Sequence, residues 1–284
     1  MAKHAKKLLG SIQPKLGTLE KANGKSTDVG EDTFQELMDV HYPSHTTAKE
    51  TQYNTENTIS LEVLMGRYKE WINVDLIRSA LCGFKSKKSP GPDEIRRIIF
   101  PHLTNNILEQ LCIIYKACIA LRFTPTLWKE AKVIFIPKPG KEQYNKAKSF
   151  RPISLSNYFL KGLEKLCVWR VDIELIKKPI HCNQHGFQKG KSTETAISKT
   201  VNTIEKYLDN KQFCVGVFLD IQGAFDTICP KYIKKCLQEH VQTEDLIEWY
   251  YNYLTHRNLK SGGRGIQWRS VSRNRLPPRR GMFS

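Results

Sequence analysis

The sequence predicts an α+β domain, and three observations carry that prediction. Leu103, Ile107, Leu108, Leu111, Ile114, Tyr115, Cys118 and Leu121 recur with the 3.6-residue period of an amphipathic helix. Ala131–Pro137 and Phe150–Ser156 are short apolar runs on either side of a basic, Gly-containing segment, the pattern of a β-hairpin. Phe213–Leu219 is a third run rich in β-branched and aromatic residues, which reads as a buried strand closed by Asp220.

Composition sets the frame for these elements. The 284 residues suffice for one large domain or two small ones, and 40% are apolar, enough for a proper core. The formal charge of +17 favours a polyanionic partner, nucleic acid first. The eight cysteines show no CxxC pair and no zinc spacing with histidine, so they read as free thiols in a reducing compartment. The basic N-terminus has no apolar core of a secretory signal, and no run approaches the roughly 18 apolar residues of a membrane span. An intracellular protein, cytoplasmic or nuclear, is the expectation.

In chain order, residues 1–72 read as a polar extension or linker with one short helix, Asp32 to Val40. That helix carries Phe34, Leu37 and Met38 on one face and is capped by Asp32. From Asn73, Val74, Ile77, Leu81 and Phe84 fall at helical spacing, and the helix must stop before Pro90-Gly91-Pro92. The lysines ahead of that loop, Lys88 among them, suit either phosphates or plain solvation.

The hairpin presents Lys138 and Arg151. Arginine offers a planar fork and lysine a point charge, and the pair on a stiff hairpin suits a triphosphate as well as it suits a solvated surface. Asn157 is placed to cap the next helix, with Leu160, Leu163 and Cys167 inward. The stretch from Asn183 to Thr195 contains Gly-Lys-Ser-Thr. Only three residues separate Gly186 from Gly190 where a phosphate-binding P-loop has four, so a basic loop capping the helix from Ser192 to Leu208 is the better reading.

Beyond Asp220 come Ala224, Phe225 and Asp226, then a helix opened by Pro230 and another opened by Thr243. A carboxylate ending a buried strand, followed by a small residue, an aromatic and a second acid, has the parts of a metal-dependent phosphoryl-transfer site, because hard cations take carboxylate and carbonyl oxygens. From Trp249 to Ser284 there is no Asp or Glu. Residues 257–284 therefore read either as a basic disordered arm or as an altered reading frame. A one-base shift turns one coding of Leu276–Arg280 into Cys-Pro-Gln-Gly-Gly.

The motifs taken together resemble the reverse transcriptases of non-LTR retrotransposons of the R1 and Jockey kind. The likeness runs from Ile77 to His256 through FKSKKSPGPDEI, WKEAKVIFIPKPGK, SFRPISLSNYFLKGLEKL, NQHGFQKGKSTETAI and FLDIQGAFDTI, in the family's order. The resemblance implies that residues 73–256 form the fingers and first part of the palm of an RNA-directed DNA polymerase, with an antiparallel palm sheet and packed helices. It implies that Asp220 is catalytic and binds Mg²⁺ together with the carbonyl of Ile221. Lys138, Arg151, Gly223, Ala224 and Phe225 would hold the deoxynucleoside triphosphate, Phe225 as the gate against a ribose 2′-OH, and Asp226 would cap the following helix. RNA template and DNA primer are the implied partners. The family's Tyr-x-Asp-Asp turn does not occur in this sequence, so the fragment is expected not to polymerise alone, and a non-catalytic nucleic-acid-binding remnant is the alternative.

Overall fold

The computed structural model describes residues 17–42, 45–47, 59–85, 89–141, 143–177, 179–221, 228–255, 257–261 and 270–272. The described elements are helices α1 (Glu31–His41), α2 (Leu61–Gly66), α3 (Val74–Cys82), α4 (Asn105–Ala120), α5 (Thr126–Lys129), α6 (Tyr158–Lys177), α7 (Thr193–Asp209), α8 (Pro230–His240) and α9 (Glu244–Thr255). The strands are β1 (His45–Thr47), β2 (Glu130–Pro137), β3 (Phe150–Ser156), β4 (Arg257–Ser261) and β5 (Ser270–Ser272), with 3₁₀ turns at Arg97–His102 and Ala147–Ser149. No described helix is long and apolar enough to cross a membrane.

The larger core is helical. α3 starts where Asn73 Oδ1 accepts the N–H of Leu76 at 3.0 Å, satisfying one of the donors a helix start leaves open. Its buried Ile77 and Leu81 meet Leu108, Leu111 and Tyr115 of α4, Leu160, Leu163 and Cys167 of α6, and Trp249 and Tyr253 of α9. Each fully buried Leu, Ile or Phe contributes about 1.5–3 kcal/mol of transfer energy, so this cluster dominates stability. Gly162 lets α6 approach so closely: a Cβ there would stand 2.7 Å from Tyr115 Oη and 2.8 Å from Leu81 Cδ2. The periodic face read from the sequence of α4 holds at 108, 111, 115 and 118, whereas Ile107 and Ile114 lie on its exposed side.

The second layer is a five-stranded sheet in the order β1-β5-β4-β2-β3. β2 and β3 pair antiparallel from Ala131↔Ser156 to Pro137↔Phe150, the hairpin expected from the sequence. β4 runs parallel to β2, so the sheet is mixed rather than purely antiparallel. α1 covers one face of it, burying Phe34, Met38 and Tyr42 against Ala131, Val133 and Leu259. The α+β expectation therefore holds as helices with one small sheet.

Three local expectations are corrected. Asp32 does not cap α1. The cap position is Gly30, and Asp32 instead accepts the N–H of Asp28 at 3.0 Å and the Lys21 ammonium at 2.7 Å. Asn157 does not cap α6 with its side chain, which turns to donate to Leu127 O at 3.0 Å. Phe213–Leu219 is not a buried strand: it is unpaired, with Phe213 101% and Phe218 93% exposed. A strand needs a neighbour for its N–H and C=O groups, and none of the described strands reaches this run.

Candidate functional site

The hairpin of β2 and β3 brings Lys138 and Arg151 onto one element. Ile136 lies directly opposite Arg151, and the ladder continues one step further, with Lys138 N–H donating to Ser149 O at 2.8 Å. Strand alternation therefore places residues 136, 138 and 151 on one side, and diagonal neighbours on a sheet are about 7–8 Å apart. The connection between the strands is tied internally. Tyr144 Oη donates to Lys138 O at 2.7 Å, Lys138 Nζ to Lys148 O at 2.8 Å and Ser149 Oγ to Gln143 O at 3.1 Å. Gly140, at φ +74°, supplies the left-handed residue this turn requires. Arg151 is exposed and Lys138 half-buried.

The same register continues this face back along the hairpin. Lys132 opposes Leu155, and Ile134 opposes Ile153. Beside them the loop before the first 3₁₀ turn closes a cavity of about 390 Å³ lined by Ser89, Gly91, Arg96, Lys132, Ile134 and Leu155. Gly91 makes that approach possible: a Cβ would stand 2.6 Å from Asn157 Oδ1 and 2.8 Å from Asn157 N. Burial pushes the carboxyl of Asp93 above the usual range, and the Ile95 N–H donated to its Oδ1 at 3.3 Å opposes that shift. Arg96 and Lys132 were not singled out by sequence reasoning. The period of two back from Arg151 and its partner Ile136 points to Lys132, whereas nothing local marks Arg96.

Asp220 and Ile221 lie at the end of the exposed run after α7. Among the described residues no ion pair holds Asp220. No group of three or more His, Cys, Asp or Glu there is placed to hold a metal ion. One carboxylate and one neighbouring carbonyl fall short of the near-octahedral oxygen set that Mg²⁺ demands, so these residues alone do not make a complete site for it. Gly223, Ala224, Phe225 and Asp226 lie outside the described residues, as does Lys88.

The basic loop ahead of α7 is folded on itself. Lys191 Nζ donates to Cys182 O at 2.5 Å and to Gln184 O at 2.9 Å, so its ammonium serves the loop's own carbonyls. Ser192 caps α7 as the sequence indicates. Its Oγ accepts the N–H of Thr195 at 3.3 Å, and Thr195 Oγ1 accepts the N–H of Ser192 at 2.9 Å. Loop and helix border a groove of about 850 Å³ that presents His185, Lys199, Asn202, Lys206 and Tyr207. No residue of α7 is buried, and Ile197, Val201, Ile204 and Leu208 form an exposed apolar stripe.

Residues 136–274, which include the return strand of the hairpin and α6–α9, match the family of reverse transcriptases (RNA-dependent DNA polymerases). A probable RNA-directed DNA polymerase from transposon BS of Drosophila melanogaster is 34% identical over 158 residues, 55% of this chain and 17% of that protein. The RNA-directed DNA polymerase from the mobile element jockey of the same species is 30% identical over 158 residues, again 17% of its length. A retrovirus-related Pol polyprotein from the type-1 retrotransposable element R1 of Bradysia coprophila is 27% identical over 208 residues, 73% of this chain and 20% of that protein. The chain thus spans about one fifth or less of these relatives.

Proposed function

We propose that this chain, which carries part of the reverse-transcriptase domain of a non-LTR retrotransposon, is the nucleotide-holding portion of an RNA-directed DNA polymerase. The observation that carries the proposal is the placement of Lys138 and Arg151 on one side of a rigid, internally tied hairpin. A triphosphate presents several oxygens close together. Arg151 would grip them with its planar fork while Lys138 neutralises charge.

In the whole polymerase the primer 3′-OH attacks the α-phosphate in line and pyrophosphate leaves. Positioning and charge neutralisation supply most of the rate. Phe225 would exclude a ribose 2′-OH by collision, and the N–H groups of Gly223 and Ala224 would face the triphosphate. Asp220 and the Ile221 carbonyl are two members of a metal-ligand set whose other oxygens this chain's described residues do not supply. RNA template and DNA primer would meet the basic surface through phosphate contacts, which give affinity without sequence choice.

The incomplete metal set favours a second reading, a fragment that binds nucleic acid without polymerising. Two assays on the purified chain separate the two. Binding of an RNA–DNA hybrid should weaken steeply between low and high salt. Extension of an oligo(dT) primer on poly(rA) with Mg²⁺ and dTTP should be absent if the fragment only binds, and present if the chain completes the site itself. Hybrid binding that is insensitive to salt, or undetectable, would remove both readings.

A further inference from the structure

The segment Leu19–Tyr42 does more than cover the sheet. Its contacts concentrate on the connection that carries Lys138. His41 Nε2 donates to Ala147 O at 2.9 Å while its ring lies 5.7 Å from that of Phe135. Glu20 N–H donates to Asn145 O at 2.6 Å, and Asn145 Nδ2 donates back to Glu20 Oε2 at 3.2 Å. Leu19 and Leu37 bury together with Ala147 and Phe150. These partners, 145, 147 and 150, flank Ser149, whose carbonyl takes the Lys138 N–H.

The segment is also folded in its own right, as a brace must be. Leu19 N–H donates to Thr27 Oγ1 at 2.7 Å, Thr27 and Thr33 hydroxyls share a hydrogen bond at 2.7 Å, and Lys21 pairs with Asp32 at 2.7 Å. A stiff body therefore grips the hairpin connection at two polar points and one apolar one.

We infer that Leu19–Tyr42 is a positioning brace for the hairpin, with His41 the positioning residue that fixes the connection between Lys138 and Arg151. This rests on the reading of that hairpin as a triphosphate holder. Connections of this length are usually the mobile part of a hairpin. Holding one in advance lowers the ordering cost that a bound triphosphate must otherwise offset. A segment that merely covered the sheet would contribute to global stability and leave triphosphate affinity unchanged at temperatures where the protein is folded.

The test uses the full chain and three variants, His41→Ala, His41→Gln and Glu20→Ala, with Arg151→Ala as reference. Amide hydrogen exchange is followed by mass spectrometry, and dTTP affinity by displacement of a fluorescent deoxynucleotide. His41→Ala should speed exchange across residues 138–150 while amides of α4 and α6 keep the wild-type rate. It should weaken dTTP roughly three- to tenfold, the range expected for one lost hydrogen bond. His41→Gln, which returns an N–H donor, should recover most of both effects. Glu20→Ala, at an exposed position, should move both in the same direction without touching the core.

Unchanged exchange across 138–150 in His41→Ala and Glu20→Ala overturns the brace, and so does acceleration spread evenly over α4 and α6. If local exchange rises as expected but neither His41→Ala nor Arg151→Ala alters dTTP affinity, the mechanical brace stands. The triphosphate reading, and with it the role assigned to His41 in nucleotide binding, falls.

Discussion

The carboxylate of Glu174 on α6 accepts the backbone N–H of Gln242, 68 residues away, at 2.5 Å. It also accepts Thr243 Oγ1 at 2.8 Å and Arg170 Nε at 2.8 Å. One buried side chain thus fixes the turn between α8 and α9 to the helical core, and with it the Trp249 and Tyr253 face that fills that core.

Glu174→Ala should therefore be among the costlier single changes in the chain. It leaves a turn N–H, a hydroxyl and the Arg170 Nε–H without their acceptor. Losing hydrogen bonds to a buried charged group costs about 2–4 kcal/mol. Urea denaturation followed by tryptophan fluorescence checks this, and Glu174→Gln, which keeps one acceptor oxygen, should lose less.

A second tie predicts behaviour at high pH. Tyr68 Oη donates to Asp245 Oδ2 at 2.6 Å. Burial, then the hydrogen bond and charge of Asp245, push the phenol up from 10.0 to about 12. Because the folded pKa lies above the unfolded one, this stabilisation is complete below pH 10 and is lost as pH rises through 12. Melting temperature measured from pH 8 to 12 should show that extra decline in the wild type and not in Tyr68→Phe. The variant should also be less stable at pH 8 by about 1 kcal/mol, allowing for partial exposure of the pair.

Packing at the loop beside the hairpin gives a third expectation. The nearest atoms to a Cβ at Gly91 are Asn157 Oδ1, Asn157 N and Ser156 C, two of them backbone. Backbone cannot move aside as a flexible side chain can. Gly91→Ala should cost about 1–3 kcal/mol, measured by urea denaturation, and the end of β3 should lose exchange protection first.

Thiol labelling tests the exposed run before Asp220. Cys182, Cys214 and Cys236 are exposed, whereas Cys112, Cys118 and Cys167 are buried. Burial pushes the Cys118 thiol up to about 12 and holds the Cys167 thiol well above its ordinary value. Under native conditions an aromatic disulfide reagent should modify Cys214 quickly and the buried three only on unfolding. A protected Cys214 would mean that residues 213–219 are covered after all.

What the sequence made legible follows from how local each signal is. The period of α4, the Ser192 cap of α7, the Pro230 start of α8 and the β2–β3 pairing all rest on neighbours a few residues apart, or on a turn that fixes register. The seating of α1 on the sheet does not. Phe34, Leu37 and Met38 announce an apolar face, but nothing in the chain names Ala131, Val133 and Leu259 as its cover. The run at 213–219 misled for the opposite reason. Its composition is that of a central strand, yet composition cannot supply the neighbouring strand that such a run requires. At the candidate site, Lys138 and Arg151 were readable because a hairpin carries both. The metal set proposed at Asp220 would need further oxygen ligands from residues distant in sequence, which no local pattern names.

The most direct test of the central claim is equilibrium binding of dTTP to the intact chain, wild type against Arg151→Ala, Lys138→Ala and Lys231→Ala. Lys231 is exposed on α8, away from the hairpin, and its loss changes net charge by the same unit. Arg151→Ala should weaken dTTP about ten- to hundredfold, as expected for lost hydrogen bonds to a charged phosphate. Lys138→Ala should weaken it less, and Lys231→Ala should leave it at the wild-type value. Equal affinities across all four proteins would contradict the assignment of this hairpin to the incoming nucleotide.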